Sequence, residues 1–125
     1  MKNISISIIV LFALIIVGCS GSDTYRGNWK ATSEDGTRSD LVFGENDLSV
    51  TVNGETEHFE YTQNSVNINN SVETYGVKLG DGRAIQIHFP IANDESKGAI
   101  LDANGRPIYI ISRDAYLGYE DVYGI

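Results

Sequence analysis

The chain has almost no cysteine. Cys19 is the only one, and it closes an apolar run near the amino terminus. From Ser20 onward there is no thiol, which excludes disulfides, cysteine nucleophiles and cysteine-based metal centres there. A domain of about 100 residues without staples must rest on its own core, and that length suffices to bury one. Basic residues are also scarce, 9 against 17 acidic ones, for a net charge of −8. Nucleic acids and anionic lipid head groups need basic patches, so neither is an expected partner. An acidic surface of this kind serves solubility, and its sharper reading is a basic protein partner.

Catalytic signatures are missing too. There is no Gly-x-Ser-x-Gly elbow among the serines. Gly80-Asp81-Gly82 is followed by no helical pattern, so it reads as a turn and not a phosphate cradle. His58 and His88 are the only histidines; each falls on the polar face of a predicted strand, with no metal-ligand spacing. Glu55, Glu57 and Glu60 cluster on one predicted hairpin. Two carboxylates flanking a cleft can hydrolyse a glycosidic bond, but a solvated, edge-guarding charge set needs no cleft. Asp102 to Gly105 resembles the start of a calcium loop without its remaining ligands, and a hairpin turn accounts for it. No enzyme, metal or cofactor is expected.

Long hydrophobic runs are limited to one, Ile4 to Val17, interrupted only by Ser5 and Ser7 and preceded by Lys2. It is short for a membrane span, which takes about 20 apolar residues. It fits the apolar core of a secretory signal. The run ends Ile16-Val17-Gly18-Cys19. This ending resembles the signal peptide of bacterial lipoproteins. The resemblance implies cleavage before Cys19, a diacylglyceryl thioether on its sulfur and acylation of the new amino terminus, with no other cofactor. Several acyl chains, at about 0.8 kcal/mol per buried CH₂, give stable anchoring where one does not. Ser20 stands where an aspartate would imply retention in the inner membrane, so the resemblance favours the outer membrane. The expected organisation is a leader over 1–18, an acylated cysteine with a flexible polar tether over 19–25, and one domain over 26–125. Loss of Lys2 with the leader moves the net charge to −9.

What is abundant is alternation. Leu41 and Phe43 share one strand face; Leu48, Val50 and Val52 another, with Ser49, Thr51 and Asn53 opposite. Phe59 and Tyr61 alternate with His58 and Glu60, and Ile85, Ile87 and Phe89 with Gln86 and His88. Tyr75, Val77 and Leu79 share a face as well. Period-two patterns with one wet face predict antiparallel sheet. Turn signals separate the runs, among them Asn53-Gly54 and Asn104-Gly105, which predict two-residue hairpins. The expected fold is all-β: one up-and-down antiparallel meander of about eight or nine strands, closing into a barrel that leaves no exposed edges.

Gly27-Asn28-Trp29 opens the first predicted strand. It resembles the Gly-x-Trp start of lipocalins and small lipocalin-like lipoproteins, whose tryptophan plugs the barrel floor. The resemblance implies that an arginine late in the last strand stacks over that ring, and Arg113 is the matching residue. The chain is shorter than a lipocalin and has no disulfide, which argues against a roomy ligand cup.

Ile108 to Ile111 is apolar on both faces, so its outer face needs a cover. The tail can supply it, with Tyr116, Tyr119 and Tyr123 spaced for one face of a short helix. These three and Tyr109 are the candidate partner-binding residues, because tyrosine is enriched at interfaces. The expected function is a non-catalytic, membrane-anchored envelope protein that binds a protein or glycan, as a secretion-machine accessory or an inhibitor. The alternative is a carrier of a small apolar ligand, which needs an interior cavity of roughly 300 Å³ or more.

Overall fold

The computed structural model describes residues 23–123. The expected leader, Cys19 and residues 20–22 lie outside the described residues, as do Gly124 and Ile125. Eight antiparallel strands follow in order: β1 (Gly27–Ser33), β2 (Arg38–Phe43), β3 (Asp47–Val52), β4 (Glu55–Asn69), β5 (Val72–Leu79), β6 (Ala84–Phe89), β7 (Lys97–Leu101) and β8 (Pro107–Ser112). Each pairs with its sequence neighbours, and β8 pairs back with β1 through Lys30↔Ser112 to Ser33↔Tyr109. The barrel is closed. A short helix, α1 (Tyr119–Tyr123), follows it.

The period-two faces explain the closure. Leu41 and Phe43, Tyr75, Val77 and Leu79, and Ile85, Ile87 and Phe89 all point inward and are buried. Eight strands make an interior just wide enough for such side chains to fill. The second face of β8 is covered as its sequence requires: Ile110, with Ala99 and Leu101 of β7, packs under Leu117, Val122 and Tyr123 of the tail.

Four tight turns close one end of the barrel. Asn53 and Gly54 both have positive φ, 53° and 81°, as the two-residue turn predicted from their sequence demands. Asn104-Gly105 departs from that expectation. Asp102 and Arg106 close a longer loop, in which only Gly105 has positive φ. The β5–β6 turn has the same pattern, Leu79 N–H to the Arg83 carbonyl and Gly82 N–H to the Leu79 carbonyl. The aspartates inside these turns accept backbone N–H bonds, Asp81 from Arg83 and Asp102 from Asn104 and Arg106.

The other end holds three features that the local sequence pattern does not give. Glu55–Asn69 is one strand of 15 residues, extending well past the alternating run around Phe59 and Tyr61. Thr62-Gln63-Asn64 looks like a break but is a bulge: the register shifts between Gln63 and Ser65 while pairing continues. This is why eight strands form and not nine. Second, the β4–β5 link is a two-residue turn at Asn70 and Ser71, with φ of 54° and 66°. Third, the last three residues assigned to the expected tether are ordered structure. Asp23–Tyr25 form a 3₁₀ turn, and Tyr25 is fully buried in the barrel end.

Candidate functional site

Tyr25 sits at the centre of a ring cluster. Its ring centroid lies 5.3 Å from Phe43, 5.3 Å from Tyr75 and 6.2 Å from Tyr61. Trp29 joins through Phe89 at 5.9 Å, and Phe89 meets Tyr75 at 6.3 Å. The Trp29 indole N–H donates to the Tyr25 carbonyl at 2.8 Å. Arg113, just past β8, lays its guanidinium 3.7 Å over the Trp29 ring. It also donates to the carbonyls of Asn28 and Thr24, at 2.9 and 3.1 Å. Burial lowers the Arg113 pKa, yet the group stays a cation at any working pH. Polar tips of the plug are matched as well: Tyr25 donates to Gln63 at 2.7 Å, Tyr75 to Glu73 at 2.7 Å, and Tyr61 to the Gly44 carbonyl. Burial pushes the Tyr75 hydroxyl up to about 12, so it remains a donor. This end holds the barrel shut and offers no entry.

The opposite mouth is lined by Val50, Glu57, Phe59, Arg83, Ile85 and Ile108, around a cavity of about 110 Å³. Arg83 lies 5.2 Å over the Phe59 ring at the rim. A drug-sized ligand needs roughly 300–1,000 Å³, so the interior is too small to be a cup. Of the three glutamates, Glu57 pairs with Val50 and lines the mouth, whereas Glu60 sits at the far end of β3 opposite Asp47. The geometry therefore splits the cluster seen in sequence. His58 and His88 lie on β4 and β6 with β5 between them. Each shares a hydrogen bond with a hydroxyl of the next strand, Ser49 at 3.0 Å and Thr74 at 2.8 Å. Among the described residues no three His, Cys, Asp or Glu side chains are grouped to hold a metal.

A roomier concavity than the mouth lies outside the barrel. The tail crosses from the plugged end along the β8–β1 seam, and between them runs a groove of about 450 Å³. Thr32 and Ile110 belong to its seam side, Tyr109 and Pro107 to its mouth end, and Leu117 and Tyr119 to the tail. Glu34 and Arg106 stand at the rim, joined at 3.3 Å. Thr32 Oγ1 is buried and, among the described residues, has no hydrogen-bond partner.

The four candidate tyrosines separate here. Tyr109 and Tyr119 both line the groove. Tyr123 stacks on Tyr119, with centroids 4.6 Å apart and planes at 19°. Tyr116 is not on the helix, contrary to the spacing argument. Gly118 ends the extended tail, and its N–H is capped by the Asp121 carboxylate at 2.9 Å. Tyr116 instead lies over β1 and β2, donating to Asp40 at 2.6 Å beneath Lys30 and Arg38. Thr32, Leu117, Glu34 and Arg106 were not singled out from sequence. They come from three distant segments, and no local period links them.

In comparisons with known proteins, the chain matches no family, no curated protein and no solved structure.

Proposed function

We propose that the protein is a non-catalytic binding module of a bacterial cell envelope. Lipid on Cys19 holds it at the membrane, with the outer membrane favoured, and the seam groove engages another envelope macromolecule. The groove is the observation that carries the binding part. Its volume of about 450 Å³, its two tyrosines and its apolar flank at Ile110 and Leu117 suit an inserted side chain or short segment. The unpartnered Thr32 hydroxyl adds a polar point. A buried, unsatisfied hydroxyl costs about 1–3 kcal/mol, which a guest polar group reaching it recovers. A protein partner fits best, and the acidic surface suits a basic one, because opposite charge speeds encounter. A secretion-machine component, or a hydrolase that the module neutralises, is a partner of that kind. The small barrel interior gives the carrier reading no support.

Two measurements test this. Mass spectrometry of the protein from its native host should find a thioether lipid on Cys19; a free sulfur or an intact leader removes the anchor. Capture of partners by the acylated chain should be lost in Tyr119→Ala, which trims the exposed lip, and in Glu34→Trp, which blocks the rim. Unchanged capture by both variants removes the groove.

A further inference from the structure

Beyond Tyr61, whose N–H donates to the Asn46 carbonyl, β4 has no strand neighbour on one side among the described residues. The first residue of β3, Asp47, pairs with Glu60. From Asn64 to Asn69, no strand among the described residues occupies that edge of β4. The other edge is held by β5, from Ser65↔Gly76 to Asn69↔Val72. The β4–β5 hairpin therefore carries a free β4 edge at the plugged end, while β6 stays paired to the other side of β5 as far as Glu73↔Phe89. A row of unpaired backbone N–H and C=O groups is a template for another strand, and edges are usually guarded by charge or proline. Thr62 to Val72 contains neither. Val66 and Ile68, on one face, are 49% and 60% exposed.

We propose that this edge pairs antiparallel with the same edge of a second copy of this chain. The segment is self-complementary. A two-fold axis at Asn67 sets Val66 opposite Ile68 of the second copy, Ile68 opposite its Val66, and Ser65 opposite its Asn69. Both apolar side chains are then covered, and the ladder continues from one barrel into the other. Charge selects the same place. Two chains that each carry −8 repel, and here is an exposed edge with no charge along it. Glu60 lies seven residues from Asn67 along the strand, about 23 Å at 3.3 Å per residue. Glu73 lies on β5, one strand further in, so its counterpart in the second copy is about 14 Å away at 4.8 Å per strand. Both distances exceed the screening length of about 8 Å at physiological salt. The inference uses neither the groove nor the lipid.

Disulfide trapping of the full-length chain in detergent tests it, because directly opposed residues lie within bridging distance in an antiparallel pair. Asn67→Cys should give a covalent dimer on mild oxidation. Ser65→Cys and Asn69→Cys should each stay monomeric alone and cross-link when mixed. The wild-type chain, with Cys19 only, is the control. Adding Ile68→Lys to Asn67→Cys should abolish the cross-link while the far-UV circular dichroism stays that of the barrel, since Ile68 is exposed. Equal trapping at all three positions, no trapping at any, cross-linking to a different protein instead, or indifference to Ile68→Lys each overturns the proposal.

Discussion

At the plugged end of the barrel six aromatic rings meet, drawn from the 3₁₀ turn, β1, β2, β4, β5 and β6, and a cation caps one of them. At the mouth aliphatic Val50, Ile85 and Ile108 surround Phe59, whose ring meets Arg83, the turns are short, and a cavity of about 110 Å³ persists. The same eight strands feed both ends, so the contrast comes from what lies between strands. Mouth turns are closed by local hydrogen bonds within five residues. The plug is closed by residues from nearly the whole length of the domain, Thr24 to Arg113. One end is built by neighbours in sequence and the other by neighbours in space. Stability should therefore concentrate at the plug, and the mouth should tolerate change.

Trp29→Ala is the largest test of that contrast. Trp29 is 1% exposed, and truncating a buried Trp costs about 3–5 kcal/mol. The variant should unfold at much lower urea, as followed by far-UV circular dichroism. Val50→Ala at the mouth, half-buried beside space that already exists, should cost about 1 kcal/mol. Equal losses would erase the distinction. Arg113→Ala comes next, at about 2–3 kcal/mol. It removes a ring contact and leaves the Asn28 and Thr24 carbonyls without their donor. Arg113→Lys keeps the charge but not the planar fork, so its urea midpoint should fall between alanine and wild type. A Lys variant as weak as alanine would mean that geometry, not charge, does the holding.

The two ends also differ in how far the sequence reveals them. Asn53-Gly54 announces its own turn because positive φ at two successive residues restricts which side chains fit. The inward faces of β2, β3, β5 and β6 are equally legible, since alternation is a local property. Tyr25 is not legible: it follows small polar residues that read as a tether, and only contacts with Phe43, Tyr61 and Tyr75 make it core. The length of β4 was hidden for a related reason. Polar Thr62, Gln63 and Asn64 look like a break, and only pairing with β5 shows them to be a bulge. In the groove, Tyr109 and Tyr119 stood out by residue type. Thr32 and Leu117 did not, because being at the site depends on how the tail lies across the seam.

The mouth turns give a sharper test of local construction. Gly82 and Gly105 have φ of 98° and 83°, and a Cβ added at either meets nothing within 4 Å. Alanine there incurs backbone strain alone, about 1–2 kcal/mol. Gly82→Ala and Gly105→Ala should thus lower the urea midpoint by similar amounts. Combined they should add, because the turns close different hairpins. Strong non-additivity would show that the mouth is a single coupled unit like the plug.

The smallest effect is a pH response carried by His88, the residue before Phe89 of the plug. Burial lowers its pKa from the ordinary 6.5, and a hydrogen bond with the Glu73 backbone opposes that more weakly. The folded state thus holds the proton less tightly than the unfolded chain does. Stability linked to His88 is complete above the unfolded value and is lost as pH falls through the lower folded one. Urea midpoints should therefore drop between about pH 7.5 and about pH 5, where histidine titrates before most carboxylates. His88→Gln keeps a polar side chain facing Thr74 without a titrating ring, so its midpoint should drop less over the same range. An identical drop in both proteins would assign the response to carboxylates and leave the plugged end indifferent to pH in this range.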